Sequence, residues 1–276
     1  MQDASLTPSA VHVWAARPGD FASHRRDLET LLSTDEWARA ARYRFAEPRQ
    51  RYIVGRCLLK VLLGRYLGEE AAALQIEPGM HGKPHLARPR GSDLRFSVAH
   101  TGELIVVVIA EGREIGVDVE ASDRDIKITA VMRRFYSEAE LRWLEMRPPM
   151  SGVGTPGVLS LWTCKEAFGK ALGIGLAPPI LTLDAVLDPE GGGLPQAWTH
   201  RDAARAWAVY RLSVFDGYVG ALAVELPAGA ASQVDLRQYV LSAADGGSRA
   251  SECLWASERL RASERLRDLV PEGIPT

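Results

Sequence analysis

The sequence predicts a protein that combines helices with strands, in one large domain or two modest ones. Three observations carry this. Two capping boxes, Ser33-Thr34-Asp35-Glu36 and Ser137-Glu138-Ala139-Glu140, announce helix starts. Apolar or alternating runs at Leu94 to His100, Leu104 to Ala110 and Ile115 to Glu120 read as strands. Glycine and proline clusters punctuate the chain between such runs.

In order, Val11 to Ala15 predicts a first strand, closed by the turn Arg17-Pro18-Gly19-Asp20. A helix starts near Ser33, and Glu47-Pro48 predicts a break before a longer helix from about Arg49 to Leu67, ended by Gly68. His81-Gly82-Lys83-Pro84-His85-Leu86 reads as a turn in which the proline holds Lys83 extended. The strands at 94–100 and 104–110 follow, joined by Thr101-Gly102-Glu103, with His100 at the exit of the first. In the next strand, Ile115, Val117 and Val119 take one face and Gly116, Asp118 and Glu120 the other, so two carboxylates share a side. That pair is either a solvated edge-strand face or half of a site for a hard cation. Residues 147–157 read as a loop, and a helix carries Trp162, Lys165, Glu166 and Lys170 before Gly173 and Gly175 stop it. Taken alone, Glu166 and Lys170 are an i,i+4 surface ion pair. Further strands are expected at 180–187, 206–214 and 218–225. From Leu226 the composition favours a helix-prone tail in which Ala-Ser-Glu-Arg-Leu-Arg occurs twice, at 256–261 and 262–267. A period of six cannot build a continuous apolar seam, so no coiled coil is expected.

The 276 residues are 46% hydrophobic and 25% charged, a globular rather than a disordered composition. A net charge of −2 argues against a wholesale polyanion binder, yet a basic stretch hides inside it. Between Arg39 and Arg65 stand Arg39, Arg42, Arg44, Arg49, Arg51, Arg56, Lys60 and Arg65, against Glu47 alone. Arginine forks suit phosphate oxygens; a solvated helical face with counter-charges elsewhere is the other reading. Three cysteines without a Cys-x-x-Cys pair give no thiolate zinc site and no disulfide scaffold, which fits a reducing cytoplasm. Neither an export signal nor a membrane span is read in the chain.

A basic helix, a Gly-Lys-Pro turn, a histidine after a strand, Asp-x-Glu on one strand face and Trp-x-x-Lys-Glu-x-x-x-Lys on a helix together suit a pyrophosphate with a magnesium ion. The order and spacing of Gly82-Lys83-Pro84, Phe96-Ser97-Val98-Ala99-His100-Thr101, Ile115-Gly116-Val117-Asp118-Val119-Glu120 and Trp162 to Leu176 resemble the Sfp-type 4′-phosphopantetheinyl transferases, over roughly residues 11–226. The resemblance implies an α+β fold of two similar halves related by a pseudo-twofold, with the coenzyme in the cleft between them. Residues 1–113 would form the first half, 114–228 the second and 229–276 the tail.

It implies transfer of 4′-phosphopantetheine from coenzyme A to a serine of an acyl or peptidyl carrier protein, releasing adenosine 3′,5′-bisphosphate, by a cytoplasmic monomer. Asp118, Glu120 and Glu166 would bind Mg²⁺, or Mn²⁺ in its place. Lys83 and His100 would contact coenzyme A phosphates, Lys170 the pyrophosphate, and Arg39 and Arg51 the adenosine end. Glu166 is the expected general base, with Lys170 offsetting developing charge. The sequence departs from the family's Phe-Asn-x-Ser-His-Ser around the histidine: Ser97, Ala99 and Thr101 replace Asn, Ser and Ser, and Ala99 removes a hydroxyl able to donate to a phosphate. Carriers present acidic helices, which basic and apolar residues at the cleft mouth, with the 147–157 loop, would receive. Two alternatives are a Mg²⁺-dependent hydrolase of coenzyme A or a similar pyrophosphate, and a nucleic-acid-binding module using the arginine stretch with Tyr43, Phe45 and Tyr52.

Overall fold

Alternation along the first strand organises the molecule. In the computed structural model, which describes residues 6–123, 135–145, 156–175, 197–201, 205–213, 215–226, 234–243 and 254–260, strand β1 runs over Ala10–Ala16 and is buried throughout. Val11, Val13 and Ala15 point one way, Trp14 and Ala16 the other, and each set seeds a different core.

The helical face of β1 is covered by α3 (Ala46–Leu67), preceded by α1 (Arg25–Glu29) and α2 (Thr34–Ala41). The first capping box forms at α2: Glu36 N donates to Ser33 Oγ and Ser33 N to Glu36 Oε2. The break expected at Pro48 does not occur, because Pro48 falls in the first turn of α3, where its missing N–H would have had no helical partner. Gly68 closes α3 in the left-handed conformation, φ 68°. Strands β2 (Gln75–Pro78) and β3 (Pro84–Arg88) make a two-stranded ribbon around the Gly82-Lys83 turn, a pairing too short and polar to stand out in the sequence.

Strands β4 (Leu94–Thr101) and β5 (Leu104–Glu111) join β1, and β6 (Ile115–Ala121) begins a second sheet. The second capping box opens α4 (Glu138–Glu145). Helix α5 spans Pro156–Leu172, so its first turn takes in residues 156 and 157 of the expected 147–157 loop; Pro156 suits a first turn. Strands β7 (Ala197–Arg201), β8 (Ala206–Leu212) and β9 (Tyr218–Leu226) complete the second sheet, ordered β6-β9-β8-β7. The strand expected at 180–187 lies outside the described residues.

The tail contradicts its helix-prone composition. β10 (Asp235–Ala243) pairs parallel with β1, and β11 (Leu254–Leu260) antiparallel with β10, giving the first sheet the order β11-β10-β1-β5-β4. Pairing satisfies the otherwise open edge of β1, and Tyr239 stacks on Trp14 with ring centroids 4.2 Å apart; tertiary contacts override local propensity. Most of the first repeat copy lies in β11, and the second lies outside the described residues.

The resulting α+β architecture has four layers: α3, the first sheet, the second sheet, α5. Leu58, Leu62, Ile105 and Ile109 fill the first interface, Val106, Val108, Val117 and Leu222 the second, and Phe168, Ala171, Trp207 and Ala223 the third.

Candidate active site

The edge strands β4 and β6 meet where the two sheets face each other, and the candidate site lies on that seam. The outward N–H of Val117 is satisfied by Ser97 Oγ at 3.2 Å, and Thr101 Oγ1 donates to Glu120 Oε2 at 3.1 Å. Ala99 sits between these two on the same face, 1% exposed within the inter-sheet core. All three positions that depart from the family pattern therefore serve the seam, opposite the face carrying His100.

On β6, Ile115, Val117 and Val119 enter the inter-sheet core, leaving Gly116, Asp118 and Glu120 toward α5. Gly116 permits that helix to lie directly on the strand, since a Cβ there would collide with the Ala167 carbonyl oxygen and the Ala171 amide nitrogen. Lys170 Nζ donates to Asp118 Oδ1 at 2.7 Å, while the carbonyls of Ala171 and Ile115 share the Lys83 ammonium at 3.1 and 3.2 Å. Rising helix numbers thus meet falling strand numbers, and α5 runs antiparallel to β6. Glu166, one turn before Lys170, then lies toward Glu120, because four helical residues rise about 6 Å and two strand residues about 6.6 Å.

Asp118 and Glu120 are each only 7% exposed, so the solvated-edge reading fails. Burial pushes the Asp118 carboxyl up to about 6, against the opposing pull of Lys170, and its Oδ2 has no hydrogen-bond partner. The Lys170 ammonium answers Asp118 across the helix–strand gap, where sequence alone paired it with Glu166.

His100 is exposed at the end of β4. Partial desolvation and then the charges of Arg51 and Lys170 lower its pKa, with Glu120 pulling the other way. One imidazole therefore senses α3, α5 and β6 together. Arg51 also donates to Glu47 at 2.9 Å. Arg39 is exposed, its guanidinium 5.5 Å above the Tyr52 ring.

The basic stretch is less free than its sequence. Glu36, buried on α2, lies 3.5 Å from Arg56 and 3.3 Å from Lys60, and Lys60 donates to the Leu31 carbonyl at 2.6 Å. The counter-charge, Glu36, stands just before the basic stretch in sequence. Lys165 is likewise structural: it meets Glu140 at 2.9 Å with both side chains fully buried. Glu140 is also the capping carboxylate of α4, a local role that the sequence marks while its long-range partner stays unmarked.

Lys83, expected at the coenzyme phosphates, is held by protein acceptors at the end of α5. Its ammonium donates to Glu114 Oε2 at 2.6 Å as well as to the two carbonyls, which uses all three protons. Burial pushes Glu114 up, but Lys83 and Arg95 outweigh it and hold the carboxyl below its usual range. Nothing in the local sequence pattern marks Glu114, whose partners Lys83 and Arg95 come from other strands and turns.

The donor set around Asp118 fits a hard divalent cation: carboxylate oxygens alone, one of them buried without a partner. Among the described residues no three carboxylate, imidazole or thiol groups are already gathered as a metal cage. Again among the described residues, no helix is long and apolar enough to cross a membrane.

Comparison with known proteins matches both halves of the chain. Residues 114–223 match the family described as the 4′-phosphopantetheinyl transferase superfamily, and residues 14–112 one described as 4′-phosphopantetheinyl transferase, N-terminal. The chain is 32% identical over 221 residues to the 4′-phosphopantetheinyl transferase HetI of Nostoc sp., covering 80% of this chain and 90% of that protein. It is 29% identical over 222 residues to a phosphopantetheinyl transferase of Thraustochytrium sp., covering 76% of each. To the 4′-phosphopantetheinyl transferase Sfp of Bacillus subtilis it is 23% identical over 179 residues, covering 65% and 76%.

Proposed function

Because the chain belongs to the 4′-phosphopantetheinyl transferase family, we propose that it moves the phosphopantetheine group of coenzyme A onto a serine of an acyl or peptidyl carrier protein at the β4–β6 seam. The observation that carries this is the pair of buried carboxylates, Asp118 and Glu120, lying under a helix that brings Lys170 to one of them. Arg51, His100 and Lys170 supply cationic or hydrogen-bonding groups for the phosphates, and the exposed Arg39 serves the adenosine end with its 3′-phosphate.

In the reaction the serine oxygen forms a bond to the β-phosphorus and the bridging P–O bond breaks. The electron pair leaves with adenosine 3′,5′-bisphosphate, and the serine proton passes to a carboxylate oxygen of Glu166. Asp118, Glu120 and Glu166 would hold Mg²⁺ or Mn²⁺, which when bound neutralises pyrophosphate charge. Lys170 stabilises the phosphate oxygens as charge grows on the leaving group.

The test is to incubate the protein with coenzyme A, Mg²⁺ and apo carriers from fatty-acid, polyketide and peptide synthesis, following carrier mass. Gain of one phosphopantetheine at the carrier serine is expected; no gain on any of the three overturns the reading. A carrier-free control that consumes coenzyme A would point to hydrolysis instead.

A further inference from the structure

We propose that Lys83 and Glu114 are positioning residues that seat the carboxy-terminal end of α5 on the start of β6, and so set where Glu166 and Lys170 stand over Asp118 and Glu120. The inference rests on the transferase reading of α5.

A helix ends with carbonyls that have no helical partner and with a partial negative charge, both of which favour a cation. Here the cation comes from the β2–β3 ribbon, far away in sequence. Lys83 reaches the Ala171 carbonyl at 3.1 Å and, with the same ammonium, the Ile115 carbonyl at 3.2 Å. One group therefore grips the last turn of the helix and the first residue of the strand beneath it. The aliphatic stem passes Gly173, where a Cβ would lie 3.5 Å from Lys83 Cδ and where the left-handed backbone, φ 72°, has already turned the chain away.

The ribbon holds Lys83 in place: its carbonyl accepts the Gly79 N–H at 2.8 Å, and its backbone is extended ahead of Pro84. Glu114 fixes the ammonium at 2.6 Å and is itself fixed from two sides. Arg95 Nε donates to its other oxygen at 3.1 Å, and its backbone N–H and carbonyl are bonded to Glu225. With three acceptors for three protons, Lys83 would have to abandon the helix end to bind a phosphate.

The experiment compares Lys83→Met, Glu114→Gln and the double variant with wild type, measuring coenzyme A affinity by calorimetry with Mg²⁺ and kcat for carrier modification. If both residues position α5, each single variant lowers kcat about tenfold with coenzyme A affinity within about twofold of wild type, and the double is no worse than either. If Lys83 instead contacts the coenzyme, Lys83→Met weakens affinity by about tenfold or more while Glu114→Gln, which frees the lysine, does not. That divergence overturns the proposal, as does an unchanged kcat in both. Circular dichroism verifies folding, and Lys83→Gln replaces the methionine variant if the latter unfolds. Inactivity of the wild type on every carrier counts against the transferase reading itself.

Discussion

Lys170 of α5 and Asp118 of β6 form a 2.7 Å ion pair in which one carboxylate oxygen is used and the other, Oδ2, is buried without a partner. Lys170→Met would strand Asp118 as a buried charge. Because the Lys170 side chain is 30% exposed, the loss after solvent screening is about 1–2 kcal/mol at pH 7.5. At pH 5 the loss should shrink, since Asp118, raised by burial to about 6, is then mostly protonated even in the wild type and the ion pair is no longer there to lose. Urea unfolding at both pH values measures this; an equal loss at each would contradict the arrangement.

Gly116 sets the distance between β6 and α5. Its replacement by alanine places a methyl group inside the backbone of Ala167 and Ala171, which no side-chain rotation relieves. Overpacking of this kind costs about 1–3 kcal/mol. It also lifts Glu166 and Lys170 away from Asp118. Gly116→Ala should therefore lower the thermal midpoint and lose transfer activity well below that midpoint. An active, equally stable variant would show that the helix does not need this contact.

These two residues indicate how far the sequence could be read. Alternation alone assigned Asp118, Glu120 and Gly116 to one face of β6, because a strand's period is local. Capping boxes located α2 and α4 for the same reason. What stayed hidden was every partner from elsewhere in the chain: Asp118 for Lys170, Glu140 for Lys165, Glu36 for Lys60, and Glu114 for Lys83. The tail departs from its helix-prone composition on the same account, since β10 takes its conformation from β1 and from Trp14 under Tyr239.

His12 should make stability pH-dependent. It is fully buried, bonded through Nδ1 to Tyr66 Oη at 2.6 Å, and burial, with Arg237 adding to it, lowers its pKa to about 4. A base with a depressed folded pKa is bound neutral, so its contribution is complete above 6.5, falls as pH drops toward 4 and changes no further below. The span of about 2.5 units corresponds to at most about 3–4 kcal/mol. Asp118, raised to about 6 from 3.8, acts in the opposite sense between those values. Subtracting the unfolding free energy of His12→Asn from that of wild type isolates the histidine. The difference should decline between pH 6.5 and 4, and a flat difference would remove His12 from the account.

The buried pair beside the proposed base offers a double-mutant test. Lys165 and Glu140 are fully buried and 2.9 Å apart, so Lys165→Met alone takes this cation from a fully buried carboxylate and should cost about 3–5 kcal/mol. Lys165→Met with Glu140→Gln should recover most of that in urea unfolding, because the remaining amide still serves the Ser137 cap. Transfer activity should return with the fold. A stable but inactive double variant would mean that Lys165 touches the reacting groups.

Glu166→Gln separates proton transfer from coenzyme binding. Glu166 sits on the helix that Gly116 lets down onto β6, one turn from Lys170 and toward Glu120. The amide keeps the side chain's shape but neither accepts a proton at neutral pH nor carries charge. Turnover should fall by about 10²–10⁴, the range for losing a general base. Coenzyme A should still bind, since Arg51, His100 and Lys170 are untouched. Calorimetry with coenzyme A and a single-turnover carrier assay read the two quantities independently. Full activity in Glu166→Gln would exclude the residue as base and as metal ligand alike, leaving Asp118 and Glu120 as the acidic groups of the site.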